Sequence, residues 1–217
     1  MITIGIIGVV AAMTIPALMT SYQKKITSIR LKKVYAELTQ LIKLSEAENG
    51  IMQYWDFSSE SSLADNRKFI NRYILPYIKH LSECSQRIDY KCGMPVSNSG
   101  ITYISSGGYS LSMLSYSSSK RVLVMITINP STNMKQSDMM IGRNAFYFQM
   151  RDGKLLPTGW QDGLTRDQIK RGWTTDDAYR SYFSCKSTQN NSRDYNKHGC
   201  TALLFFDKFE FKDDYPW

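Results

Sequence analysis

The first twenty residues, Met1 to Thr20, carry no charge, and Ser21, Tyr22 and Gln23 extend the uncharged run. As a helix, a segment of this length reaches across the hydrocarbon core of a bilayer. Gly5, Gly8 and Pro16 lie inside it, residues that membrane helices tolerate better than soluble ones do. Three readings compete. A cleaved secretory peptide would carry a basic region ahead of its apolar stretch, and none precedes Ile2, although Val10-Ala11-Ala12 is an acceptable cleavage site. A core helix that is apolar on every side needs a larger protein around it. A membrane anchor fits best.

Behind the run the pattern turns amphipathic. Tyr22, Ile26, Ile29, Val34, Leu38, Leu41, Ile42 and Ser45 recur at three-to-four-residue spacing, with Lys24, Lys25, Arg30, Lys32, Lys33 and Glu37 between them. No proline follows Pro16 before Pro76, and Asn49-Gly50 supplies a stop. The two halves predict one continuous helix of about 45 residues, roughly 70 Å long. The division expected is residues 1–23 as anchor, 24–50 as amphipathic half and 51–217 as a globular head.

The head reads as α+β. Residues 51–62 are polar and aromatic, a predicted loop. From Ser62 to His80 a helix is predicted with Phe69, Ile70, Tyr73, Ile74 and Tyr77 on one face, ended or kinked by Pro76. From Ile101 the period drops towards two. Strands are predicted at Ile101–Ile104, Tyr109–Leu114, Arg121–Ile128, Ala145–Met150 and Ala202–Phe206, with Gly107-Gly108 and Asn129-Pro130 as turns. Arg151 to Lys154 forms a tight turn, and residues 157–200 read as long loops. The expected architecture is a long N-terminal helix laid on an antiparallel sheet, with disulfide-stapled C-terminal loops.

Four cysteines form two near pairs, Cys84/Cys92 and Cys185/Cys200. Zinc ligation wants tighter spacing, although His80 and His198 beside the pairs leave that reading open. Two short disulfide loops need fewer assumptions and suit an oxidising compartment. Of three possible connectivities, the local one, Cys84–Cys92 with Cys185–Cys200, is expected. This conflicts with the lysines that follow the apolar span, since basic residues there normally stay cytoplasmic.

With 27 Lys+Arg against 19 Asp+Glu the chain stands at +8, which raises nucleic acid or anionic lipid as partners. The charges are dispersed after Lys33 and no arginine-rich tract occurs, so a basic soluble surface is the simpler account and nucleic acid is disfavoured. Lys24, Lys25, Arg30, Lys32 and Lys33 sit where a helix leaving a membrane would meet headgroups. Catalytic constellations are weak. The two histidines both neighbour cysteines, and disulfide bonding removes the thiolate from a Cys84/His80 pair. Ser106-Gly107-Gly108-Tyr109-Ser110 lacks the strand-turn-helix setting of a phosphate loop. Asp176-Asp177 and Asp213-Asp214 read as solvated loops. Phe205, Phe206, Phe209 and Phe211, with Tyr215 and Trp217, read as alternating burial in a last strand, with a sticky partner surface as the alternative. A non-enzymatic protein is expected.

The run Ile6-Ile7-Gly8-Val9-Val10-Ala11-Ala12-Met13-Thr14-Ile15-Pro16-Ala17-Leu18 closely resembles the N-terminal helix of type IV pilins and type II secretion pseudopilins, with glycine and proline at fixed spacing in an uncharged span. Tyr22 to Lys25, Arg30 to Lys33, Ser45 to Gly50, Gly199 to Ala202 and Lys212 to Trp217 are similar to a bacterial branch of that superfamily; the middle of the chain matches weakly. The resemblance implies a fibre subunit held in the bacterial inner membrane by one span, its head in the periplasm or on the cell surface. Its partners would be other pilin-like subunits, an assembly platform and membrane lipid. Ile6, Ile7, Gly8, Val9, Val10, Ala11, Ala12, Ile15 and Pro16 would form the assembly helix, and the stretch bracketed by Gly8 and Pro16 could unwind on assembly. By register, the family's basic leader, cleavage glycine, methylated phenylalanine and glutamate would precede Met1. The expectation is a start assigned at an internal methionine or a trimmed chain, with the leader resolving the charge conflict. The calcium loop of major pseudopilins corresponds to Ile126–Asn133 and Gly142–Phe146, where Thr127 and Asn144 stand in place of acidic residues. Calcium is therefore disfavoured and no cofactor is expected. The competing class is a membrane-anchored periplasmic or extracellular binding domain that does not polymerise.

Overall fold

The computed structural model describes residues 2–57, 62–84, 92–93, 95–97, 99–130, 140–174, 182–185 and 198–217; the side chains of residues 2–11, 13, 17, 174 and 182 lie outside the description. One helix, α1, runs without interruption over Ile2–Asn49. It is followed by a 3-10 turn at Met52–Tyr54, helix α2 (Leu63–Tyr73) and a second 3-10 turn at Leu75–Tyr77. Ser62 caps α2 by accepting from the Asp65 backbone N–H, and the helix ends just ahead of Pro76, whose ring cannot continue the ladder.

Six strands then form one antiparallel meander in chain order: β1 (Leu81–Glu83), β2 (Ile101–Ser105), β3 (Tyr109–Tyr116), β4 (Arg121–Ile128), β5 (Ala145–Arg151) and β6 (Lys154–Pro157). The β5–β6 turn is Asp152-Gly153, both at positive φ (49° and 70°), the two-residue hairpin that matches strand twist. Helix α3 (Arg166–Arg171), a two-stranded ribbon of β7 (Trp173–Thr174) with β8 (Tyr182–Phe183), and helix α4 (Gly199–Phe206) follow among the described residues.

The core lies between one sheet face and the helices. Tyr109, Leu111 and Met113 of β3, Val122, Val124 and Ile126 of β4, and Phe146, Phe148 and Met150 of β5 pack with Leu31, Val34, Leu38, Leu41 and Ile42 of α1. Phe69, Ile70 and Tyr73 of α2 join the same cluster, with Trp55 stacked on Tyr73 at 4.7 Å between centroids. Among the described residues two hydrogen bonds tie α1 to the sheet: Tyr109 Oη donates to Glu37 Oε2 (2.8 Å) and Tyr35 Oη to the Leu155 carbonyl (3.2 Å). The second face of the sheet carries small polar residues. Ser110, Ser112 and Thr127 are buried there, and the Val96 N–H donates to Ser112 Oγ at 2.9 Å. Gly93 approaches so closely that a Cβ would sit 2.0 Å from Ser110 Oγ. Cover on both faces explains why β3 and β4 are buried almost throughout rather than in alternation.

Asn66 of α2 is fully buried and finishes the edge of β3 where β2 no longer reaches. Its Nδ2 donates to the carbonyls of Met113 and Ser99 (3.1 Å each), and its Oδ1 accepts from the Ser115 N–H (3.0 Å). One amide side chain thus replaces a strand partner, satisfying backbone groups that burial would otherwise leave costly.

The α+β architecture, the long helix, the first four predicted strands and both local disulfides, Cys84–Cys92 and Cys185–Cys200, are present. Three expectations are corrected. Ala202–Phe206 is helical, part of α4, not a last strand. Its apolar run is buried on all sides from Cys200 to Leu204, so no period separates strand from buried helix, and alanine and leucine favour the helix. Residues 157–200 are not loops throughout: they hold α3, β7 and β8, and β6 begins inside the hairpin at Lys154. Tyr22 and Ile29 do not belong to the packed stripe of α1, being 60% and 54% exposed; Leu31 and Thr27 take those places.

Candidate functional site

Two stripes run along α1. The packed one comprises Thr27, Leu31, Val34, Leu38, Leu41, Ile42 and Ser45, all buried. The other comprises Ile15, Leu18, Met19, Tyr22 and Ile29, each more than half exposed. Spacings of three, four and seven residues place the second set on one helical face. At roughly 100° per residue that face points well away from the head-packing stripe. Five large apolar side chains in register along one exposed face are more than the scattered surface residues any soluble domain carries.

Of the residues expected to form an assembly helix, Ala12, Ile15 and Pro16 are exposed. Ile6, Ile7, Gly8, Val9, Val10 and Ala11 lie on the α1 backbone, with side chains outside the described residues. The helix continues through Pro16, which has no N–H to offer the Ala12 carbonyl, and the Thr20 hydroxyl donates to the Pro16 carbonyl at 3.0 Å. Among the described residues no helix is long and apolar enough to cross a membrane. The anchor expectation rests largely on residues 2–11, whose side chains fall outside that set.

Beside the exposed stripe the C-terminal tail is clamped onto α1. After α4, Lys208 and Phe209 adopt positive φ (55° and 62°), a conformation costly for a ring-bearing residue and held here by its surroundings. Ser28 Oγ donates to the Phe209 carbonyl, and the Phe209 ring packs on Tyr35 (5.1 Å) and Phe205 (5.9 Å). Arg166 of α3 grips the tail from the other side, with both Asp207 and Asp214 within 2.7–3.1 Å; Lys170 adds a second cation to Asp214 at 2.8 Å. The Arg166 and Lys170 bonds hold the Asp214 carboxyl well below the usual carboxylate range. Tyr215 is buried, its hydroxyl donating to the Gly142 carbonyl at 2.6 Å, and Phe211 stands edge-on to both Tyr215 and Trp217. The Trp217 ring lies near Lys24 Nζ (5.8 Å) and the Arg143 guanidinium (6.0 Å). Between helix and tail opens a cleft of about 620 Å³, lined by Thr20, Ser21, Lys24, Lys25, Ser28, Glu210, Phe211 and Asp213.

All four cysteines are bonded, so neither pair offers thiolates to zinc. His198 stacks on Tyr147 at 4.3 Å. Thr127 is buried within β4, and Asn144 Oδ1 accepts from the Met140 N–H; among the described residues no cluster of three or more metal-binding side chains occurs. Ser106-Gly107-Gly108 is the β2–β3 turn, closed by the Gly108 N–H on the Ser105 carbonyl. Asp176-Asp177 lies outside the described residues. Sequence reasoning missed the tail clamp. The Asp207 and Asp214 carboxylates were visible as charges, but their partner Arg166 sits 41 and 48 residues away in a segment read as loop.

No curated protein and no solved structure matches the chain. A family match runs over residues 17–217, taking in the basic half of α1, the sheet and the clamped tail. The chain therefore belongs to DUF6613, a family of unknown function.

Proposed function

We propose that the chain is a structural subunit of a bacterial fibre of the type IV pilus or type II secretion pseudopilus kind, held in the inner membrane through residues 1–23 before assembly. The observation that carries this reading is the second stripe of α1, exposed at Ile15, Leu18, Met19, Tyr22 and Ile29 and aimed away from the head. A helix already packed on its own sheet has no internal use for a second apolar face. Another copy of the same segment supplies the missing partner, and a head-to-tail contact of that kind propagates rather than closes. Pro16 weakens the helix where the apolar run meets the stripe and gives it a place to bend or unwind. The two disulfides favour an oxidising location for the head, in the periplasm or at the cell surface. On this reading the protein has no catalytic residue and needs no cofactor or calcium, and the head's loops meet the outside world.

The charge-lined cleft beside Lys24 favours a second reading, a membrane-anchored binding domain that does not polymerise. Electron microscopy and mass spectrometry of the fraction sheared from cells separate the two. Fibres containing this chain support the subunit reading. Retention of all the chain in the membrane fraction, with no fibres when the assembly machinery is active, overturns it in favour of the anchored domain.

A further inference from the structure

The cleft between α1 and the tail has walls of opposite charge. Lys24 and Lys25 line the helix side, and Glu210 and Asp213 line the tail side. Glu210 is paired with Lys212 at 2.7 Å, whereas Lys25 and Asp213 make no ion pair among the described residues. Ser21 also lines the helix side and Phe211 the tail side. A purely anionic guest would meet two carboxylates here, and a purely cationic one two ammonium groups. A guest carrying both charges a few bonds apart satisfies both walls.

We propose that this cleft receives a zwitterionic lipid headgroup of the phosphoethanolamine class, its phosphate on Lys24 and Lys25 and its ammonium on Glu210 and Asp213. The lining residues of α1, Thr20 to Ser28, span about 12 Å of helix, enough to cross the roughly 5–8 Å headgroup layer of one leaflet. The cleft begins where the uncharged run of residues 1–23 ends, so the helix that delivers the cleft to the membrane surface also fixes its height. Leu18 and Met19, exposed immediately N-terminal to it, lie where acyl chains would run. Trp217 beside Lys24 and Tyr22 on the neighbouring turn place aromatic rings at the same level, the position such rings prefer at a bilayer surface. The inference rests on the membrane-resident reading of residues 1–23; it adds the class of lipid recognised.

The test uses the full chain in non-ionic detergent with ¹⁵N-labelled tryptophan, following the Trp217 indole resonance during titration with glycerophosphoethanolamine, glycerol 3-phosphate or ethanolamine. Glycerophosphoethanolamine should give a saturable shift. Each half-ligand should bind about tenfold more weakly, the scale of one lost charge-assisted hydrogen bond. Lys25→Ala and Asp213→Asn, both at exposed positions, should each weaken binding by a similar factor while leaving the melting midpoint unchanged. Equal affinity for glycerol 3-phosphate, or no saturable shift, overturns the proposal. The micelle titration needs no fibre, so its failure alongside intact fibres rejects the headgroup assignment alone. Saturable binding by a chain found only in the aqueous cell fraction overturns the lipid source and the membrane reading beneath it.

Discussion

Truncating one leucine from each stripe of α1 should separate folding from assembly. Leu38 is fully buried in the cluster between α1 and the sheet. Leu38→Ala removes its transfer free energy and leaves a cavity, costing about 3–5 kcal/mol. For a chain of this size that lowers the melting midpoint by roughly 6–20 °C. Leu18 is 71% exposed, so Leu18→Ala changes head stability by less than about 0.5 kcal/mol and the midpoint by no more than about 2 °C. In a fibre the same truncation forfeits burial of most of a leucine side chain, about 1–2 kcal/mol per contact, or roughly a 5- to 30-fold loss in contact equilibrium. The assay pairs thermal unfolding of the full chain in detergent, read by circular dichroism, with the yield of chain in the sheared fibre fraction. Leu18→Ala should melt like the parent yet assemble poorly, while Leu38→Ala should fail in both. If Leu18→Ala lowers the midpoint as far as Leu38→Ala, or leaves fibre yield untouched, the two-stripe account is wrong.

Asn66→Ala strips the partners from the Met113 and Ser99 carbonyls and the Ser115 N–H, and should destabilise the head by about 2–4 kcal/mol in urea unfolding; a change under about 0.5 kcal/mol would show that the edge of β3 does not depend on it. Asp214 has a folded pKa below its ordinary 3.8, so its contribution to stability is complete above that value and is lost as the pH falls below it. Arg166→Ala should flatten that part of the stability profile, and an unchanged acid slope would count against the tail clamp. Opening the Cys185–Cys200 bridge, with its 15-residue separation, should cost about 3 kcal/mol and lower the melting midpoint in reductant. A melt indifferent to reductant would mean α4 holds its place by packing alone.

The parts of this fold that could be read from sequence are those with a single strong period. Arg121–Ile128 was legible to the residue because its β-branched run is bounded by turn residues, and the local cysteine pairing followed from spacing alone. Where burial is two-sided, period carries no information, and Ala202–Phe206 was misread for that reason. Helix α3 did have a signal, the capping box of Thr165 and Gln168 closed by Gly172, but six residues are too few for a period to show. Asn66 and the Arg166 fork depend on partners far along the chain, and no local pattern announces them. The misplacement of Tyr22 and Ile29 has another cause. Two apolar faces on one helix overlay as one broad pattern, and only the packed structure assigns each residue to its face.

The central claim, that the exposed stripe of α1 meets copies of itself, is tested most directly by a photo-crosslinking amino acid placed at Leu18 in the full chain in living cells. Irradiation should give a ladder of covalent multiples of this one chain. Monomer alone, or adducts only to other proteins, would contradict it.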